Sequence, residues 1–143
     1  MEEFLNFQVI ADNFTYFMIG RFPHGPLGGV GLTLYLAVVS CILSFFGGLL
    51  LGLLSVSRHT FLQQPAMLFI NTVRGIPLLM VIFWMYFLLP ALMGTTVPES
   101  QTVIMGLTIF TSAYMSQIVR AGIEGIPKGQ TEAAISTGLK PWQ

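Results

Sequence analysis

The sequence predicts an all-α membrane protein with three spans, and two observations predict it. Hydrophobic residues make up 54% of the 143 positions and charged residues only 8%, against about 25% charged in soluble domains. The charges also cluster. None occurs in 25–57, 75–98 or 100–119, and each stretch reaches the roughly 20 residues an α-helix needs to cross hydrocarbon.

The elements follow in order. Phe4, Phe7, Ile10, Ala11, Phe14, Phe17 and Met18 recur at helical spacing, with Gln8, Asp12 and Thr15 opposite, so an amphipathic helix is expected over 3–19. It either lies at the headgroup boundary or packs its aromatic stripe on the protein's own helices. Gly20, Pro23, Gly25, Pro26, Gly28 and Gly29 then break regular structure and close an arm of residues 1–26. The first span covers about 27–56 and stops at Arg58 and His59. The second covers about 66–94, with Arg74 inside it, and the third about 102–121. A loop from Thr95 to Gln101 joins the last two, and a polar tail fills 122–143.

Orientation follows from the basic residues. With the amino terminus external, Arg58, Arg74, Arg120, Lys128 and Lys140 fall on or toward the cytoplasmic side, leaving Arg21 outside. Positive residues favour the cytoplasm, so the arm is expected outside and the tail inside.

Several classes are excluded or unsupported. A formal net charge of zero gives no electrostatic case for nucleic acid. The single Cys41 can form neither an intrachain disulfide nor a multi-cysteine metal site and reads as a small core residue. His24 and His59 are expected at opposite surfaces, so no shared metal site is expected. Met1-Glu2-Glu3 is acidic where a cleavable signal is basic, so none is expected. No nucleophile–base pair and no Walker-type phosphate loop can be drawn. The chain is therefore expected to be neither an enzyme nor a cofactor carrier. If ATP drives it, another subunit must bind that ATP.

Four features could carry function. In the tail, Gly122, Gly125, Pro127 and Gly129 oppose continuation of the third span. Thr131 can cap a new helix, Glu132, Ala133 and Ala134 suit its first turns, and Gly138 can end it in a left-handed cap, with Pro141 beyond. About two turns of helix are unstable alone in water. The helix must dock on a partner or fold back on its own membrane domain. Arg74 precedes Gly75-Ile76-Pro77, where a kink is expected. An arginine at membrane depth is functional or paired, unless it snorkels to headgroups, and a gating or structural role is favoured. On the third span, Thr108, Ser112 and Met115 share one face, and Tyr114, Gln117 and Arg120 form a second series. These polar groups serve interhelical hydrogen bonds or line a pathway. Gly48 and Gly52, four apart in the first span, have the spacing for close helix contact.

The tail resembles the cytoplasmic loop of ABC importer permeases, in which Glu-Ala-Ala is followed after three residues by Gly. Here these are Glu132-Ala133-Ala134 and Gly138. Ala113-Tyr114, Arg120, Gly122-Ile123, Ile126-Pro127-Lys128-Gly129-Gln130 and Gly138-Leu139 are similar to the polar amino acid branch of that family. So are Gly31-Leu32-Thr33-Leu34, which opens the first span, and Arg74-Gly75-Ile76-Pro77-Leu78-Leu79. The resemblance covers most of 27–139. It implies that Gly129, Glu132, Ala133, Ala134 and Gly138 belong to a coupling helix seated in a groove of a separate ATPase subunit. It also implies a second permease subunit, the same or different, an extracytoplasmic solute-binding protein, an amino acid substrate and an inner-membrane location in lipid.

The sequence departs from the family in three places. Gln117 stands where Glu is frequent, which favours acidic or neutral substrates over cationic ones, and Thr137 replaces an apolar residue. The family fold has five spans with this loop between the third and fourth, whereas the chain ends at Trp142-Gln143. The expectation is thus the amino-terminal three spans of a five-helix permease, with a truncated coupling loop. The alternatives are a noncatalytic membrane interaction protein, an inactive permease fragment, or a small channel of oligomerised spans.

Overall fold

The computed structural model describes residues 7–140, with side chains from Val9 onward. The expected amphipathic helix before Phe7, Phe4 included, and the residues Pro141-Trp142-Gln143 lie outside that range. The described residues are helical: α1 (Phe7–Asp12), α2 (Phe14–Ile19), α3 (Gly29–Ser55), α4 (Thr60–Arg74), α5 (Leu78–Met93), α6 (Glu99–Glu124) and α7 (Lys128–Ser136). An isolated antiparallel bridge joins Gly20 to Leu27.

The amino-terminal arm is two six-residue helices rather than one continuous helix, broken at Asn13. The Asn13 side-chain amide donates to the Val9 carbonyl at 2.9 Å, a local bond that competes with helix continuation. The Gly29 and Gly31 positions lie against the Phe17 and Met18 carbonyls, so the α2 backbone rests on the start of α3. Phe14 and Phe17 remain half exposed.

α3 spans 27 residues, about 40 Å at 1.5 Å per residue, enough to cross hydrocarbon about 30 Å thick. α6, with 26 residues, has a similar reach. It passes Gly122 without interruption and ends at Gly125, whose N–H donates to the Ala121 carbonyl at 2.8 Å. The expected second span is two helices bent by 106° at a short break. Its first helix begins at Thr60, six residues before the apolar run, and continues through Pro65. The polar first turn is anchored by Gln63, whose Nε2 donates to the Ser55 carbonyl at 3.2 Å. Gly75 and Pro77 account for the break. Gly75 closes α4 on the Asn71 and Thr72 carbonyls, and Pro77 carries no N–H to continue the ladder. α5 ends at Gly94, whose φ of +66° lies in the left-handed region that favours glycine.

α3 and α6 run parallel. Gly47 faces Ser112, Gly48 faces Met115 and Gly52 faces Val119, so residue numbers rise together along both helices. The seam is made of small residues. Ser40, Ser44, Gly48, Gly52 and Ser55 are the buried stripe of α3, and Ser112 and Ser116 face it from α6. In lipid no hydrophobic gain drives helices together, so close backbone approach and van der Waals contact must do so. The contacts of α4 and α5 with α6 run the other way. Met67 meets Arg120, Arg74 meets Tyr114, and Ile82 meets Gly106. The α4–α5 unit therefore returns along α6, opposite in direction to α3. One end of the bundle gathers the α3 C-terminus, the α4 N-terminus, the α6 C-terminus and α7. The other gathers the arm, Gly94 and Glu99.

Candidate functional site

α7 projects from the end of α6 and packs on no other helix to any extent. It starts at Lys128 behind Pro127, whose fixed φ suits a helix start. Thr131, expected to cap the helix, lies within it instead, because Pro127 begins the helix one turn earlier. Gly129 also lies inside α7 with open space around it. Glu132 and Ala133 are exposed and Ala134 is half buried. The end of α7 forms as expected. Gly138 takes φ +82°, its N–H donates to the Ile135 carbonyl at 3.0 Å, and the Leu139 N–H donates to the Ala134 carbonyl at 3.1 Å. These two bonds are a Schellman closure, which satisfies carbonyls that helix termini otherwise leave unpaired. Ile135 and Leu139 remain exposed beside them. α7 is thus a nine-residue helix with apolar side chains left exposed. It does not fold back on its own membrane domain.

The second feature is the break between α4 and α5. The Tyr114 hydroxyl donates to the Arg74 carbonyl at 3.5 Å, and the Arg74 guanidinium sits 5.3 Å from the centre of the Tyr114 ring. Phe110 supports that ring from 4.8 Å. Arg74 thus meets α6 within its length rather than at its end. Tyr114 is ten residues from Glu124 and fifteen from Glu99, or about 15 and 22 Å from the two ends of α6.

Arg120 is nearer that end. Its Nε donates to Glu124 Oε1 at 3.0 Å and its Nη1 to the Met67 sulfur at 2.8 Å, so it ties α6 to α4. Met67 is 53 positions from Arg120, and only packing pairs them, whereas Glu124 stands four residues on along the same helix, a spacing the sequence carries.

The polar residues of α6 divide by face. The Ser112 hydroxyl is buried in the seam and donates to the Ser44 carbonyl at 3.4 Å, which is the interhelical use. Thr108 Oγ1 and Gln117 Nε2 are buried without a hydrogen-bond partner among the described residues. Tyr114 is exposed and so is Thr111. Thr111 stands three residues before Tyr114, on the same exposed side of the helix. Asn71, Thr72 and Arg74 are exposed on α4. The free side of α3 is apolar by contrast, with Leu34, Val38, Ile42, Phe46, Leu50 and Leu53 exposed. One flank of the chain thus suits lipid, and the other presents polar groups at hydrocarbon depth that require protein or water against them.

Residues 44–143 match the family described as binding-protein-dependent transport system inner membrane component. A probable glutamine ABC transporter permease protein, GlnP, of Bacillus subtilis (strain 168) is 44% identical over 111 residues, covering 78% of this chain and 50% of the relative. A probable amino-acid ABC transporter permease protein, YckA, of the same organism is 35% identical over 129 residues, covering 90% and 56%. A crystal structure described as an amino acid ABC transporter with histidines superposes with a TM-score of 0.80 at 27% identity, over 96% of this chain and 59% of that one. The chain spans about half the length of the curated relatives it matches. Its helices, the loop helix α7 and these likenesses agree, and the chain belongs to the family of binding-protein-dependent transport system inner membrane components, as an all-α, multi-pass membrane protein.

Proposed function

We propose that the chain is the membrane-crossing part of a permease subunit of an ATP-binding cassette importer for amino acids, with α7 seated on a separate ATPase subunit. The observation that carries this reading is α7 itself. It stands clear of the bundle, ends in a Schellman closure at Gly138, and presents Glu132, Ala133 and Ala134 on a helix too short to be stable unsupported. ATP-driven closure of the ATPase would move α7, and α6 would carry that movement into the spans.

Three crossings are supported by the parallel packing of α3 and α6. A chain that enters twice in the same direction must return between the two, and the contacts of α4 and then α5 step back along α6 from Arg120 to Gly106. The basic residues support an external arm and a cytoplasmic α7. Arg58, Arg120, Lys128 and Lys140 belong to the α7 end, and Arg21 to the other. Tyr114, Gln117 and Thr108 line the pathway in this reading, while Ser112 holds the seam beside it. A second permease subunit, the same or different, completes the pathway, and an extracytoplasmic binding protein delivers the substrate. The neutral Gln117 supports acidic or neutral amino acids, in keeping with the relative named for glutamine. Full-length protein reconstituted with its ATPase and binding protein should take up amino acid only when ATP is hydrolysed. An ion current without ATP would contradict the importer reading and favour a channel.

A further inference from the structure

We propose that the arm formed by α1, α2 and the turn to Leu27 anchors the chain on the membrane surface, with Arg21 and Tyr16 holding the phosphate of an anionic phospholipid. The sequence leaves the arm two homes, the headgroup boundary or the protein's own helices, and the proposed transport function uses neither. Nothing in this role depends on the importer reading. It depends on where α2 is fastened to α3.

A Cβ at Gly31 would meet the Met18 carbonyl at 3.1 Å and the Ile19 Cγ2 at 3.7 Å. Gly31 shares one face of α3 with Leu34, Val38 and Ile42, at steps of three and four residues. The buried stripe of Ser40, Ser44 and Gly48 lies on the other side, toward α6. α2 thus covers the first turn of the outer face of α3, and Leu34, Val38 and Ile42 below it remain more than half exposed. The arm and the lipid-suited flank of α3 are one continuous surface. The 27 residues of α3 reach about 40 Å, against about 30 Å of hydrocarbon. Its first turns therefore stand at the hydrocarbon boundary, and α2 beside them stands at headgroup level.

The side chains of the arm suit that level. Phe14, Tyr16, Phe17 and Phe22 are each at least half exposed, and aromatic rings collect where hydrocarbon meets headgroups. The Asn13 N–H donates to the Val9 carbonyl at 3.2 Å and the Phe17 N–H to the Asn13 carbonyl at 3.0 Å. Helical register therefore runs through the break, and Ile10, Phe14 and Phe17 keep one side. Arg21 follows α2 directly. With Tyr16 it borders a hollow of about 340 Å³ against the bare backbone of Gly20, Gly28 and Gly29. A guanidinium and a phenol at one hollow supply N–H and O–H donors and a positive charge, which match phosphate oxygens. A phospholipid brings that phosphate together with acyl chains that can continue down the apolar face of α3.

The test uses the full-length permease in vesicles of phosphatidylcholine and phosphatidylglycerol, with every cysteine but the labelled one replaced. Nitroxides on Phe14→Cys and Phe17→Cys should be reached by oxygen and shielded from a water-soluble nickel chelate. A fluorophore on Phe17→Cys should find spin-labelled phosphatidylglycerol enriched about fivefold over spin-labelled phosphatidylcholine, the share of one basic residue beside anionic lipid. Arg21→Gln should bring the two lipids level, and Arg21→Lys, which keeps the charge, should retain part of the enrichment. Nickel access equal to oxygen access would place the arm in water, and exclusion of both reagents would place it under protein. Either result would overturn the anchor. The same lipid ratio in wild type and Arg21→Gln would overturn the phosphate site.

Discussion

Gly48 and Met115 stand at the closest approach of the two parallel spans, where a Cβ on Gly48 would fall 2.5 Å from the Met115 Cβ. Gly52 repeats the relationship with Val119 at 2.6 Å. Gly48→Val should destabilise the protein by about 1–3 kcal/mol, the usual cost of overpacking, read as a lower thermal midpoint in detergent. Gly122→Ala is the matched control. Nothing lies within 4 Å of that position in α6, and alanine should be neutral or stabilising by up to about 1 kcal/mol. Equal destabilisation by the two variants would contradict the seam.

Gly138 closes α7 in the left-handed region, at φ +82°. Gly138→Ala should cost about 1–2 kcal/mol at that residue, and Gly138→Asn less, since asparagine tolerates this cap. Hydrogen exchange at the Gly138-position and Leu139 amides should accelerate in the order Gly, Asn, Ala. Identical protection in all three would show that the two closing bonds are not kept in solution.

The Arg120–Glu124 pair is partly exposed, with 26% and 53% of the side chains accessible. Its spacing of four residues on one helix makes it worth no more than about 0.5 kcal/mol. Glu124→Gln should therefore shift the thermal midpoint slightly, and the shift should shrink as salt rises. A large, salt-independent loss would mean that Glu124 has a further partner outside the described residues.

Parallel packing of α3 and α6 makes a prediction about sidedness. In a Cys41→Ala background, Ser57→Cys and Lys128→Cys should be labelled by an impermeant reagent from the cytoplasmic face, and Thr95→Cys from the opposite face. Labelling of Ser57→Cys and Thr95→Cys from one face and of Lys128→Cys from the other would mean that α4–α5 dips into the membrane and returns.

Much of this fold is legible in the sequence because membranes impose simple rules. The uncharged stretches locate α3 and α6 to within a few residues, and Gly48 and Gly52 announce the seam. The run Glu132-Ala133-Ala134 with Gly138 locates α7. Other features depend on packing that local patterns do not encode. Pro77 signals a kink, but not a bend of 106°. Pro127 and Thr131 are both acceptable helix starts, and the chain uses the earlier one. Ser112 and Thr111 are neighbours in sequence, yet one is buried against Ser44 and the other is exposed. Which face a hydroxyl takes is settled by where the small residues of α3 let α6 approach. The contact of Arg74 with Tyr114 likewise becomes visible only in the folded chain.

Copurification of the ATPase with the full-length permease tests the docking role of α7 most directly. Glu132→Arg, which reverses an exposed charge on α7, and Gly138→Pro, which cannot adopt φ +82°, should each reduce the retained ATPase by about tenfold or more, as loss of a central contact does. The same amount of ATPase retained by wild type and both variants, with the permease still folded in the membrane, would contradict the account.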